Sequence, residues 1–220
     1  MAVEIKYQAA IENESISSYT HKWATKFDDM VIVSALTGDY GSYYFPHQMI
    51  NRPTTEDFNS QKAAYSSFHE NGAAIIFQGD LFGFGKPAVP DRGHIGNIEF
   101  GKLVIAAMDN PDMHLQDAQM KISGLDIKGD YYNSVCSMSR ALNAEPENPY
   151  QGGAGQGVYN LLRGNADPML DILKAQGIDV DTPLKDMVIA SQYIDSAITI
   201  SAPIIETTGS SENTEALSAA

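Results

Sequence analysis

Strand-period and helix-period segments are segregated along this chain, and that order restricts the fold more than any other sequence feature. Val3-Glu4-Ile5-Lys6-Tyr7 alternates apolar and charged side chains, the pattern of a half-buried strand. Ala73 to Phe77 is a short apolar run. His94 to Phe100 alternates, although Ile95 and Ile98 fall out of strict phase. Leu103-Val104-Ile105 continues the apolar pattern, and residues 119–127 alternate again. No helical period interrupts the stretch from 73 to 127. Strands that follow one another without helices between them predict an antiparallel sheet. Helical patterns dominate what comes after, so the expected class is α+β, one sheet backed by helices.

One helix precedes the sheet. Ser15 is its N-cap, and Ile16, Tyr19, Trp23, Phe27 and Met30 recur at steps of three and four. That stripe predicts a core face with Trp23 buried. His21, beside Lys22, reads as a residue of the solvated face. Past the strands, Val135 to Leu142 predicts a short helix. Val158, Leu161 and Leu162 begin a helical turn. Asp167-Pro168 opens a further helix, Asp as N-cap and Pro at the first helical position, and Gly177 ends it. Thr182-Pro183 repeats that opening and predicts one more helix. Gly83 and Gly85 punctuate 82–87 as a turn or loop.

The segment from Val31 to about Glu70 shows no sustained period. It is rich in Gly, Tyr, Asn and Pro, and a loop region this long inside one domain is usually functional. It holds Tyr40, Tyr43, Tyr44, Phe45 and His47. Phenolate oxygen and imidazole nitrogen are ligands of heme iron, and aromatic neighbours pack on a porphyrin face. A loop that folds its aromatics onto its own surface would carry the same residues.

Other chemistry is missing from the sequence. There is no GxSxG, Walker A or HExxH motif, and none of the five histidines pairs with another at i+3 or i+4. The reading is therefore of a binding protein, not an enzyme. A formal net charge of -14 disfavours nucleic acid and anionic membranes as partners. No run of about 18 apolar residues is present to cross a bilayer. Cys136, the single cysteine, allows no intrachain disulfide and reads as a buried, inert thiol. The N-terminal MAVEIKYQ does not read as a Sec signal. Residues 206–220 are polar and acidic with a small apolar end, a composition that predicts a flexible tail behind a single domain of residues 1–205.

Residues 161–195, LLRGNADPMLDILKAQGIDVDTPLKDMVIASQYID, resemble the HasA-type bacterial hemophores. Residues 15–29, SISSYTHKWATKFDD, are similar to that family's first helix, down to the single Trp. GHIGNIEFG at 93–101 and the LDIKGD turn are weaker matches. The ending LSAA is similar to the family's uncleaved C-terminal signal for an ABC-type exporter. The resemblance implies a secreted, extracellular protein with a strongly curved antiparallel sheet covered on one face by helices. It implies heme held between two loops at one edge and delivered to an outer-membrane receptor. It also implies a His ligand from the first loop, a Tyr ligand from the second, and a helper His beside that Tyr.

The ligand pattern does not carry over. Counting from Trp23 without a gap, the first-loop ligand position holds Ile32, which has no lone pair for a metal. The second loop, residues 80–90, contains no Tyr, and the helper position falls on Val89. Three readings stay open. Iron is ligated by another residue, with Tyr43, Tyr44 and His47 nearest. Heme is held by apolar contact alone, through Ile32, Phe82 and Phe84. Or the scaffold serves as a secreted interaction protein without heme.

Overall fold

The computed structural model describes residues 2–27, 42–44, 62–67, 72–81, 93–107 and 110–193. Among these residues seven strands form one sheet: β1 (Glu4–Tyr7), β2 (Ser42–Tyr44), β3 (Lys62–Ser66), β4 (Ala73–Asp80), β5 (His94–Ala107), β6 (Asn110–Ile127) and β7 (Ala190–Gln192). Their spatial order is β2-β3-β4-β5-β6-β1-β7. The helices are α1 (Ile16–Phe27), α2 (Asp130–Leu142), α3 (Gly157–Leu161) and α4 (Asp167–Ala175).

The α+β class holds, but the expected wholly antiparallel, strongly curved sheet does not. The sheet is open and mixed, with β2 and β7 as its ends among the described residues. β1 pairs β7 in parallel, Ile5 opposite Ala190 and Tyr7 opposite Gln192. The connection from β1 to β7 runs through nearly the whole chain, and such a return can enter in either direction. A hairpin turn can enter only antiparallel. The sequence placed residues 190–192 at the end of a helix, whereas they form this edge strand. The helix expected after Thr182-Pro183 is a single 3-10 turn, Leu184–Asp186. The turn is tied to the chain before α1: Leu184 N donates to Glu14 O at 2.8 Å and Lys185 N to Glu12 O at 3.0 Å.

Ser15 caps α1 as its position suggests. Ser18 N donates to Ser15 Oγ at 3.1 Å, and Ser15 N donates back to Ser18 Oγ at 3.0 Å. The stripe Ile16, Tyr19, Trp23 and Phe27 is buried; Met30 lies outside the described residues. Asp167 is the first residue of α4, not its cap. Asn165 Oδ1 instead accepts from Asp167 N at 3.1 Å. Gly177 ends that helix with φ +81°, a conformation a Cβ would strain. α2 begins five residues before Val135, and Cys136 on it is partly exposed rather than buried.

The main core lies between the sheet and the helices. Ile5, Trp23, Phe77, Ile98, Phe100, Met120 and Leu173 all belong to it. The odd phase of Ile95 and Ile98 has a cause: the register shifts between Ile95 and Asn97, opposite Ile127 and Ser123. A bulge there turns both isoleucines to the helical face, where both are fully buried. Ala64, Ala74, Ile76 and Leu115 form a smaller cluster, alternating along β3 and β4 with the main-core residues.

Candidate functional site

Two segments outside the described residues hang from one half of the sheet. Residues 28–41 leave α1 after Phe27 and rejoin at β2. Residues 82–92 leave β4 after Leu81 and rejoin at Gly93, before β5. The anchors of the first are aromatic. Phe27 packs on Trp23 with ring centroids 5.2 Å apart, and Trp23 Nε1 donates to Gly101 O at 3.2 Å. Trp23 also meets Phe100 edge-on at 5.2 Å. The indole is thus held by two ring contacts and by a hydrogen bond at its polar tip.

The second segment is anchored by tight backbone packing. Leu81 is fully buried. Gly93 has φ +84°, and a Cβ there would lie 2.7 Å from Tyr132 N, so the chain re-enters β5 through a position only glycine fills without a shift. His94 follows, its Nε2 3.1 Å from Asp126 Oδ1.

In the core, β3, β4 and α2 bring three aromatic side chains together. Tyr65 and Tyr131 are fully buried, and their hydroxyls share a hydrogen bond of 2.9 Å. Phe77 packs against both, with centroids 6.1 Å from Tyr65 and 5.9 Å from Tyr131. This pairing satisfies two phenols that would otherwise be costly to bury. Neither tyrosine was singled out from the sequence. Tyr65 sits in the stretch without a period, and nothing local links it to Tyr131.

Of the sequence-predicted site residues, Tyr43 and Tyr44 fall in β2. Tyr43 stands opposite Tyr65 and Tyr44 opposite Ala64, so β2 extends the sheet by one edge strand directly after the first segment. Ile32, His47, Phe82 and Phe84 lie outside the described residues, as does Tyr40. No group of three or more His, Cys, Asp or Glu side chains gathers as a metal site among the described residues. No helix among them is long and apolar enough to cross a membrane.

His21 and Asp130 tie the helices together. His21 Nδ1 lies 2.8 Å from Ser17 O and Nε2 lies 2.8 Å from Asp167 Oδ1. Both partners are acceptors, so the doubly protonated ring suits them, and the hydrogen bonds to Ser17 and then Asp167 raise the His21 pKa. Asp130, at the start of α2, accepts from Gly157 N and Val158 N at 2.6 and 2.9 Å. Burial pushes its carboxyl upward despite those bonds. It caps α3 from a distant position, which no local motif announces.

The family model for heme-binding protein A (HasA) matches residues 1–220, the whole chain. The chain belongs to the HasA hemophore family. It is 34% identical to the apo hemophore HasA of Yersinia pestis, over 89% of this chain and 98% of that one, with a TM-score of 0.63. The holo form of that hemophore gives 33% identity, 88% and 100% coverage and a TM-score of 0.62. A variant monomer of HasA from Yersinia pseudotuberculosis gives 33% identity, the same coverage and a TM-score of 0.63. A search of curated proteins gave no match. Members of the family are secreted binding proteins without catalytic activity, and the chain is one of them.

Proposed function

We propose that this protein captures heme outside the cell and delivers it to an outer-membrane receptor, after export by an ABC-type transporter. The observation that carries this is the family match along all 220 residues, supported by 33% identity to a holo hemophore over 88% of the chain. The donor chemistry fits the group. β2 places Tyr43 and Tyr44 on an edge strand beside the first segment, and phenol oxygen is a ligand of ferric heme. His47 is the nearest imidazole in sequence. In this reading Tyr43, Tyr44 and His47 are the candidate iron donors, while Ile32, Phe82 and Phe84 supply apolar contact to the porphyrin. Heme itself contributes the iron and a broad apolar face. The test is titration with hemin: a saturable Soret shift ending at one equivalent is expected, and its absence overturns the reading.

A second reading has its own observation. Ile32 occupies the first-loop ligand position, and residues 80–90 include no Tyr. A hemophore scaffold that engages a receptor without heme would show this pattern, and the same titration separates the two. The proposal also divides the chain into a carrier domain, 1–205, and an export tail, 206–220. Deleting the tail should leave the melting temperature unchanged and abolish secretion from a host carrying the matching exporter; unimpaired secretion contradicts the division.

A further inference from the structure

The far part of the β5–β6 hairpin runs on past its neighbours in the sheet. β4 pairs with β5 as far as Ala73 opposite Lys102. On the other side, Gln8 N donates to Gln119 O at 2.9 Å, just after β1 ends. Beyond these points Val104 faces Leu115 and Ala107 faces Asn110 in a two-stranded ribbon, without a ladder partner on either side among the described residues. The base of the ribbon is irregular. The register shifts between Phe100 and Gly101, and close to that shift Leu103 has φ +48°. Among the described residues no other side-chain-bearing residue has a positive φ. A Cβ is crowded by the following carbonyl in that region, and such a conformation persists where its surroundings impose it. The surroundings here are a fold-back. A Cβ on Gly101 would lie 2.0 Å from Asp117 O and 3.0 Å from Ala118 Cα, so the backbone of β6 passes where a side chain would stand. Farther along, Leu115 is buried with Ala64, Ala74 and Ile76, on the face of the sheet away from the helices, and Val104 packs beside them. β5 separates β6 from β4, so Leu115 reaches that cluster across β5, where Gly101 opposite Ala74 puts no side chain in the way. Leu103 and Ile105, which alternate with Val104, are exposed.

We propose that this ribbon is a hinged strap, closed over the outer face of β3 and β4 and opening about Gly101–Leu103 while the rest of the sheet stays folded. Two contributions oppose each other in the closed state. Burial of Val104 and Leu115 holds the strap down, and the left-handed backbone of Leu103 works against it. Opening exposes the small cluster and lets Leu103 return to extended backbone. The base stays anchored. Lys102 Nζ is 3.2 Å from Asp117 Oδ2, and Gln8 Nε2 donates to Asp117 Oδ1 and to Ala118 O, both at 2.8 Å. The motion therefore begins after Lys102 on one strand and before Asp117 on the other. Elements with few buried contacts open at lower free energy than the whole fold, and the described part of this one has two aliphatic side chains to keep it shut.

Native-state hydrogen exchange on the full-length protein tests this, read by NMR at low urea. Cross-strand amides of residues 103–105 and 114–116 should exchange through a local opening, with a urea dependence well below that of global unfolding. Amides of residues 97–100 and 120–123, in the middle of the same two strands, should exchange with the global transition. Two variants act on the two opposing contributions, with melting curves to confirm folding. Leu103→Asn replaces an exposed residue by one that tolerates the left-handed region. It should slow ribbon exchange by about five- to tenfold, the factor for relief of one left-handed side chain. Leu115→Ala removes the buried hold and should speed ribbon exchange by about tenfold or more. Ribbon amides as protected as the central ones overturn the proposal. So do ribbon rates that ignore Leu103→Asn, which would mean that the opening leaves the strained turn in place, and rates that ignore Leu115→Ala.

Discussion

Trp23 shows how much one side chain settles. It is 3% exposed, packs on Phe27 and Phe100, and donates to Gly101 O. Trp23→Ala removes the largest apolar body of α1 and leaves that carbonyl without its donor. A loss of about 3–5 kcal/mol is expected in urea unfolding; a loss below about 1 kcal/mol would show that the stripe is not core. His21 makes a different kind of link, on the exposed side of the same helix. Its pKa is raised above 6.5, so NMR titration should give a midpoint higher than that value. The sign for stability follows. A raised folded-state pKa means that the bonds to Ser17 O and Asp167 contribute fully below pH 6.5 and fade as pH rises through the folded midpoint. The stability difference between parent and His21→Ala should therefore shrink on going from acid to alkaline pH. A constant difference would mean that packing, not charge, is what His21 provides. Trp23 was legible because a helical stripe with one large aromatic has few alternatives. The role of Asp130 was not: its two partners, Gly157 N and Val158 N, are 27 and 28 residues away.

Among the elements, legibility followed the strength of the local period. β1, β4, β5, α1 and α4 all stand within a few residues of where alternation or a capped stripe placed them, and β6 ends where expected but begins nine residues earlier, at Asn110. β2, β3 and β7 did not announce themselves. β2 and β7 are three residues long, too short for a period to show. β3 reads Lys-Ala-Ala-Tyr-Ser, and its two adjacent alanines are buried on opposite faces, so alternation is hidden by small size. The 3-10 turn at Leu184–Asp186 stands where a helix was expected: this stretch pairs with the chain before α1, Leu184 N to Glu14 O and Lys185 N to Glu12 O, and leads into β7 at Ala190. Tertiary pairing overrode a sound local signal. The β5–β6 junction offers a test at this scale. The register shifts between Phe100 and Gly101, and a Cβ on Gly101 would lie 2.0 Å from Asp117 O. That oxygen is backbone and cannot rotate away. Gly101→Ala should cost about 1–3 kcal/mol, the range for forced overpacking. It should also shift Trp23 fluorescence, since the indole donates to the Gly101 carbonyl. A neutral effect on both would mean that the bulge relaxes freely.

At the scale of the molecule, β2 is an end strand of the sheet among the described residues, so Tyr43 and Tyr44 stand on its edge and not in a central strand. Four of the six candidate site residues, Ile32, His47, Phe82 and Phe84, stand on segments outside the described residues. The family resemblance made the scaffold legible because caps, glycines and core positions are fixed by folding. The iron ligands answer only to the heme, so the signals that fix the scaffold do not fix them. Affinity then has two contributions. Burial of the porphyrin face is roughly proportional to the apolar area removed from water, about 25 cal/mol per Å². It survives loss of an iron ligand. A bond to iron adds to it and leaves a spectral mark. If Tyr43, Tyr44 or His47 supplies that bond, the variant Tyr43→Phe/Tyr44→Phe/His47→Ala keeps the apolar contribution and loses the axial ligand. Hemin binding to the variant should then weaken by about tenfold or more, the equivalent of about 1.4 kcal/mol, and its Soret and charge-transfer bands should move toward those of free hemin. The phenylalanines preserve ring volume, so a change in the bands reports oxygen and nitrogen donors and not packing. Spectra and affinity identical to the parent would exclude all three residues and leave apolar contact, through Phe82 and Phe84, to hold the heme.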